Sequence, residues 1–340
     1  PSNQELIAQW QDEPAPCLPL LHAFHDRDDH LSDEAIRAIA EGLGIPLADL
    51  YGTVTFYHHF SRKPGGKQAP RVCDGPICQP KGCNQLISEL EGATAMPCAG
   101  RCDEPIPVIQ GDRFLVGTPG EELMEAPTPL PPLNPGGHEE CCFAHVRTPG
   151  RATLDGYLET GGYQALKRAL AMNPEEVLDM MDASGLAGRG GAGFPTGRKW
   201  RAVRDAEGGP KTIVCNADEG EPGCFKDRVL LDHDPHSVLE GMAIAGHAVG
   251  AERSFIYLRY EYPHTQRILE EAVREAREIL SGFEVYIRRG AGAYICGEET
   301  SLLNSLEGKH PFPRNRPPYP VTHGYEGTPT VVNNVETLAT

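Results

Sequence analysis

Hydrophobic and polar positions repeat with the period of a helix in several stretches of this chain. Across residues 32–43, Ile36, Ile39, Ala40 and Leu43 fall on one face. Ser32 is placed to cap that helix, and Asp33 and Glu34 occupy the first turn, where negative charge suits the helix dipole. A short helix is expected after Pro46, carrying Leu47, Leu50 and Tyr51. Asn173-Pro174-Glu175-Glu176 reads as another helix start, with a capping Asn and a Pro at the first helical position, running to about Ala183. A further helix is expected over 264–280. There Ile268, Leu269, Ala272, Val273, Ala276, Ile279 and Leu280 share a face, and Glu270–Arg274 and Arg274–Glu278 pair at i, i+4.

Elsewhere the apolar runs are short. Arg71-Val72-Cys73, residues 106–109 and residues 114–116 read as strands, the last two as a hairpin around Gly111-Asp112. With a helix over 84–91 they make a small α/β layer. Thr212 to Cys215, Phe255 to Leu258 and Phe283 to Ile287 read as strands in a β–α–β succession, which implies a mixed or parallel sheet. Pro64-Gly65-Gly66 marks a linker, and the proline- and glycine-rich residues 127–138 mark a domain boundary. The expected division is a helical bundle over 1–66, a small α/β domain over 67–126, a linker over 127–165 and a larger α/β domain over 166–340.

A chain of 340 residues has room for two or three such units, and 39% hydrophobic with 23% charged residues is an ordinary globular composition. No run approaches the ~20 apolar residues of a membrane span. The first residues lack a basic-then-apolar signal pattern, so a cytoplasmic location without direct membrane insertion is expected. A net charge of −17 argues against nucleic acid as a partner. The 11 cysteines, in a chain read as kept reduced, favour cofactor ligation over a disulfide framework.

Four of those cysteines form two pairs, Cys73-x₄-Cys78 and Cys98-x₃-Cys102, each at a strand end beside loop-forming residues. Four soft thiolates from two facing loops suit a [2Fe–2S] cluster. A structural zinc site and plain buried thiols are the alternatives, and Cys83 could replace a neighbouring ligand. Gly188-Arg189-Gly190-Gly191-Ala192-Gly193 satisfies G-x-G-x-x-G, yet it follows a helix rather than a strand, so the Rossmann context fails. The physics of the loop survives. Glycine lets backbone amides approach an anion or a flat ring, and a helix opening near Thr196 with Lys199 adds positive character. A nucleotide site without a Rossmann fold is the expectation. Residues 216–223 and 290–300 are acidic, glycine-rich turns after expected strands, where open α/β sheets place ligands.

The segments GRGGAGFPTGRKW, CNADEGEPGCFKDR, GAGAYICGEETSLLNSLEG and PTVVNNVET resemble the flavoprotein subunit of respiratory complex I and the related diaphorase subunits of NAD-dependent formate dehydrogenases and NAD-reducing hydrogenases. Residues 51–109 resemble that family's partner domain, a thioredoxin-like [2Fe–2S] unit that begins with a small helical bundle. The resemblance implies an α/β protein: helical bundle, thioredoxin-like [2Fe–2S] domain, then a non-Rossmann FMN-binding domain. For FMN it implies Gly188, Gly190, Lys199, Asn216, Asp218, Glu219, Tyr294, Gly297, Glu298, Asn333, Asn334 and Thr337, with Arg189 in the same glycine loop. For NAD(H) as substrate it implies Gly191, Phe194, Glu221, Glu299 and Tyr319, the last standing where many relatives have Phe. For the [2Fe–2S] cluster it implies Cys73, Cys78, Cys98 and Cys102, with a shorter span from Cys78 to Cys98 than the family usually shows. Relatives continue into a [4Fe–4S] domain with a C-x₂-C-x₂-C triplet, so the chain is expected to be C-terminally incomplete, with that cluster in the missing part.

The implied activity is hydride transfer between NAD(H) and FMN followed by single-electron steps to iron–sulfur clusters, with no side chain needed as a catalytic acid or base. Both domains on one chain argue against typical complex I. Gly220 in DEGEPG and the run Tyr257-Leu258-Arg259-Tyr260-Glu261-Tyr262-Pro263 look closer to a formate dehydrogenase β subunit, whose partner would be a molybdenum or tungsten subunit with an iron–sulfur relay. A diaphorase of an NAD-reducing hydrogenase or of an NADH:quinone oxidoreductase is the alternative. A flavin-free assembly or relay module is the reading from another class.

Overall fold

The computed structural model describes residues 1–125, 128–133 and 137–340. The expected boundary at 127–138 therefore falls partly outside the described residues.

The chain opens with α1 (Asn3–Trp10), α2 (Cys17–Asp28), α3 (Asp33–Leu43) and α4 (Leu47–Phe56). Ser32 Oγ accepts from Ala35 N at 3.1 Å, so α3 begins at the expected cap, and Gly44 ends it with φ of 64°. Nothing in the sequence pattern announced α2. Its residues Leu18, Leu20, Leu21 and Phe24 are buried, and so are His22 and His25. A helix buried nearly all round has no polar face to reveal the period.

The first sheet contains β1 (Arg71–Cys73), β2 (Thr94–Met96), β3 (Ile106–Gln110) and β4 (Arg113–Gly117) in the order β2-β1-β3-β4. Between β1 and β2 runs α5 (Cys83–Glu89), and β1 and β2 pair parallel. The hairpin of β3 and β4 turns where expected, with Gln110 opposite Arg113. The strand β2 has three residues, two of them exposed, too little pattern to read from sequence.

After α6 (Leu154–Glu159), α7 (Gln164–Ala171), α8 (Pro174–Ser184) and α9 (Thr196–Asp205) come β5 (Lys211–Ala217), α10 (Lys226–His233), α11 (Pro235–Val249), β6 (Ala251–Leu258), α12 (Pro263–Leu280), β7 (Glu284–Arg289), α13 (Glu299–Leu306), α14 (Pro320–His323), β8 (Thr330–Asn334) and α15 (Val335–Ala339). The second sheet is parallel throughout, in the order β7-β6-β5-β8. All four carboxyl ends therefore lie along one edge. The chain winds from β5 outward to β7, then returns to add β8 on the other side of β5. Between β5 and β8 the winding reverses, and that switch point leaves a crevice at the carboxyl edge.

Both faces of this sheet are covered, as a parallel sheet requires. On one face α9, α11 and α12 bury Ile213, Cys215, Ile256 and Leu258 with Trp200 and Met242. On the other, Val214, Phe255 and Tyr257 share a core with Leu20, Leu21, Phe24 and Ile39 of the N-terminal helices and with Leu302, Leu303 and Leu306 of α13. The N-terminal helices thus have no core of their own. They roof the second sheet, while the first sheet keeps a smaller core around Val72, Val108 and Leu115.

Phe255 is fully buried at that roof. Phe255→Ala is expected to destabilise the protein by about 3–5 kcal/mol, the usual range for such a truncation. Chemical denaturation followed by far-ultraviolet circular dichroism measures it, and a loss under about 1 kcal/mol would contradict the shared core.

Candidate functional site

Two adjoining cavities, of about 490 and 660 Å3, open at the carboxyl edge of the second sheet and share Gly190, Asn216, Gly297, Glu298 and Asn334 as lining. The glycine loop of residues 188–193 crosses this crevice. It closes on itself through Gly188 N to Phe194 O at 2.8 Å and is tied to the domain by Arg189 N donating to Thr337 Oγ1 at 2.9 Å. Gly191 has φ of 112°, a conformation open to glycine and strained for other residues.

All the residues expected from the sequence to serve FMN and NAD(H) line one cavity or the other. The structure does not separate them into the two groups expected. Gly191 and Glu221, assigned to the nucleotide, line the first cavity with Asp218 and Tyr294; Phe194, Glu299 and Tyr319 line the second with Lys199 and Thr337.

Several of these side chains frame the crevice by bonds to the protein itself. Asn216 Nδ2 donates to Gly297 O at 2.8 Å, fastening β5 to the turn after β7. Glu298 accepts from Thr300 N and Ser301 N, both at 2.9 Å, and so caps α13. Glu219 accepts from Asp227 N at 3.1 Å and Arg228 N at 3.3 Å, doing the same for α10. Asn333 accepts from Trp200 Nε1 at 2.8 Å. Asn334 donates to Asp227 Oδ2 at 2.6 Å and accepts from Lys226 Nζ at 3.1 Å.

Other groups remain able to address a ligand. Asp218 Oδ2 is buried without a partner in the first cavity. Burial pushes the Asp218 carboxyl up to about 7, with Arg259 opposing and Glu261 reinforcing the shift. Tyr294 is 66% exposed and donates to Glu221 Oε2 at 2.7 Å across the mouth. Lys199 Nζ reaches Val332 O at 3.0 Å and Glu299 at 3.3 Å. Sequence reasoning missed Lys226, Asp227 and Arg316, which also line the cavities. Arg316 pairs with Glu299 at 3.2 Å and Glu298 at 3.6 Å. Lys226 and Asp227 stand inside the quoted CNADEGEPGCFKDR segment; Arg316 has only its place before two prolines as a signal. A flat, hydrogen-bonding anion fits this donor set: glycine backbone beneath, cations at the rim and an unsatisfied carboxyl on the floor.

The four expected cluster cysteines converge from the ends of β1 and β2 and their loops. Cys73 interacts with Cys78 and Cys98, and Cys98 Sγ lies 3.5 Å from Cys102 Sγ. The thiols thus form a file of neighbours in two pairs; among the described residues no three His, Cys, Asp or Glu side chains gather as for a single ion. That file suits two irons, each held by a pair. Backbone N–H groups reach the sulfurs, Gly100 N to Cys98 at 3.4 Å and Gly223 N to Cys102 at 3.2 Å. Cys98 is lowered below an ordinary thiol by Cys102 first, then Cys73, with Gly100 N–H and the Arg259 charge adding to them. Cys83 is fully buried in the small core with Leu86.

Gly223 belongs to the loop of residues 218–224, whose Asp218, Glu219, Gly220, Glu221 and Cys224 line the first cavity. One loop therefore walls the cavity on one side and touches a cluster cysteine on the other.

Residues 181–340 match the Nuo51 FMN-binding domain family, and residues 3–119 match the thioredoxin-like [2Fe–2S] ferredoxin family. The chain is 36% identical to the NAD-reducing hydrogenase HoxS subunit alpha of Cupriavidus necator, over 98% of this chain and 62% of that protein. It is 54% identical to an NADH-quinone oxidoreductase subunit of Aquifex aeolicus over 57% of this chain and 48% of that one. A crystal structure of an NAD⁺-reducing [NiFe]-hydrogenase in the air-oxidised state superposes with a TM-score of 0.78 at 32% identity, covering 97% of this chain and 61% of the other. The chain thus spans about half to three fifths of the length of these relatives.

Gly190 lines both cavities, and a Cβ there would stand 3.5 Å from Asn334 Cβ, so the backbone tolerates a side chain that then occupies the crevice. Gly190→Val is expected to leave the fold intact and cut bound flavin at least tenfold, read from visible absorbance of the purified protein; full flavin retention would contradict the site. Asp218 carries a proton in the folded protein that it loses when unfolded between about pH 4 and its folded value of about 7. Stability of flavin-free protein therefore falls as pH rises through that window. Asp218→Asn is expected to flatten that fall, raising the denaturation midpoint at pH 8 but not at pH 4; an unchanged slope would contradict a buried, unpaired carboxyl.

Proposed function

The chain belongs to the NADH-dehydrogenase flavoprotein family, joining a thioredoxin-like [2Fe–2S] ferredoxin domain to an FMN-binding domain, and from that premise we propose that it is the electron-input part of an NAD(H)-dependent redox enzyme. In this reading hydride passes between NAD(H) and FMN in the crevice, and electrons go singly to the [2Fe–2S] cluster on Cys73, Cys78, Cys98 and Cys102. The observation that carries it is the 218–224 loop, which lines the cavity and sets Gly223 N 3.2 Å from Cys102 Sγ. Two redox sites separated by one loop are arranged for transfer between them.

FMN supplies the conversion between a two-electron hydride donor and one-electron acceptors; the protein supplies binding and alignment. Gly188, Gly190 and Asn216 offer backbone and amide contacts to a ring system, and Lys199 with the start of α9 offers positive charge to a phosphate. Phe194 and Tyr319, 46% and 55% exposed, stand at the second cavity as faces on which a nicotinamide or adenine ring stacks. No side chain is assigned a proton-transfer role in the hydride step.

The partner in this proposal is a large catalytic subunit reached through an iron–sulfur relay outside residues 1–340, with a [4Fe–4S] cluster as its first member. A formate dehydrogenase of molybdenum or tungsten type was expected from DEGEPG and the run at Tyr257. The relatives named above are subunits of a hydrogenase and of an NADH-quinone oxidoreductase, so a hydrogenase-type partner is supported at least as well. Identifying the large subunit that co-purifies with the native protein decides between them.

Cys98→Ser is expected to remove the paramagnetic signal of a reduced [2Fe–2S] centre while keeping most NADH oxidation by a dye that accepts directly from flavin. Stoichiometric zinc without iron would overturn the cluster, and absence of flavin bands from the native protein would favour the flavin-free module.

A further inference from the structure

Arg259 stands between the two redox sites and lines neither cavity. It is 4% exposed. One end of its guanidinium donates to the carbonyl of Cys98, and the other donates to the carbonyl of Glu219 in the cavity loop. Its remaining capacity is met by Glu261, itself 4% exposed, at 3.2 and 3.3 Å. Tyr262 holds the guanidinium 5.0 Å from its ring centroid and sends its hydroxyl toward Gly100 O at 3.3 Å and Glu219 Oε2 at 3.4 Å. A Cβ on Gly100 would fall 2.6 Å from Arg259 Nη1, so the cluster loop and the arginine meet with no space between them. The short run at the carboxyl end of β6 therefore grips the cluster loop and the flavin loop with one buried ion pair.

We infer that Arg259, balanced by Glu261, is a positioning residue that sets the reduction potential of the [2Fe–2S] cluster relative to the flavin. The inference rests on the cluster ligands proposed above. Passing one electron from reduced flavin to the cluster makes and breaks no bond at these residues and leaves the cluster one unit more negative. A buried cation beside Cys98 stabilises that added charge, in surroundings where water screens little. The Glu261 carboxylate cancels part of the effect. The arrangement makes the two residues act in opposite directions, which a purely structural contact does not.

The test is a redox titration of the native full-length protein at one fixed pH, following the reduced-cluster paramagnetic signal, with flavin content measured alongside. Arg259→Gln is expected to shift the midpoint to lower potential and Glu261→Gln to higher potential, while Arg259→Lys, which keeps the charge, stays near the native value. Should Arg259→Gln fail to fold, a rise in Glu261→Gln with Arg259→Lys near native still supports the inference. Unchanged midpoints, or shifts of one sign in both neutralised variants, overturn it while leaving the cluster assignment standing. Absence of the cluster signal from the native protein overturns both.

Discussion

The arrangement of this molecule depends on two buried guanidinium groups at the carboxyl edge of the parallel sheet. Arg228 is fully buried and holds Asp103 at 2.8 and 2.9 Å, with Glu104 at 3.4 Å. Arg259 holds the Cys98 carbonyl from the other side of the same loop. Taking a guanidinium out of water is expensive unless each charge meets a counter-charge or a carbonyl in good geometry. The loop of residues 98–104 supplies carboxylates to Arg228 and a carbonyl to Arg259, so moving it would strip both arginines of partners, while Arg228 Nε already lacks one. The small sheet is thereby docked against the large one at the point where a cluster cysteine faces the cavity loop. Apolar contact alone would leave that alignment far less specific, because hydrophobic attraction has no direction.

The second constraint is the direction of the strands. Four parallel strands bring four carboxyl ends to one edge, and the loops that leave β5 and β7 are rich in glycine and acid. Asn216 lies near the end of β5 and Asp218 follows it, Tyr294 and Glu298 follow β7, and Asn333 and Asn334 end β8. Residues scattered over more than a hundred positions of sequence meet there because the switch point between β5 and β8 leaves the crevice open. The glycine loop enters from before the sheet, which is why the motif appears without its Rossmann setting.

That logic explains what could be read from the sequence and what could not. The helices at 33–43 and 263–280 announced themselves by a polar face, and the hairpin at Gly111 by its turn chemistry. The helices α2 and α11 did not, because both are buried on nearly every side and their composition lacks periodicity. The strand β8 was legible as a motif but not as a strand, since Asn333 and Asn334 are poor strand formers placed there for the crevice. The residues that line the crevice were legible through the family motifs, two of them dense in glycine and acid, yet their division between the two cavities was not. Sequence order says nothing about which side of the glycine loop a side chain reaches. The roof formed by the N-terminal helices over Val214 and Phe255 was equally hidden, because it is a contact between segments about two hundred residues apart.

The charges in the crevice complete the physical picture. The cations at hand for an anionic ligand are already engaged: Lys199 with Glu299, Lys226 with Asp227 and Glu336, Arg316 with Glu298 and Glu299. An arriving phosphate therefore competes with a carboxylate for each of them. Its gain is the difference between two ion pairs rather than the full strength of one, and at a partly solvated mouth each pair is worth little to begin with. Pairing the cations in advance keeps the crevice from carrying unmet charge and tempers its attraction for an anionic ligand. Contacts offered by the backbone of the glycine loop break no ion pair on binding, whereas the Asn216 and Asn334 amides already bond to Gly297, Asp227 and Lys226. The geometry thus divides the labour, with permanent affinity in the glycine backbone around Gly190 and exchangeable affinity in the ion pairs at the rim.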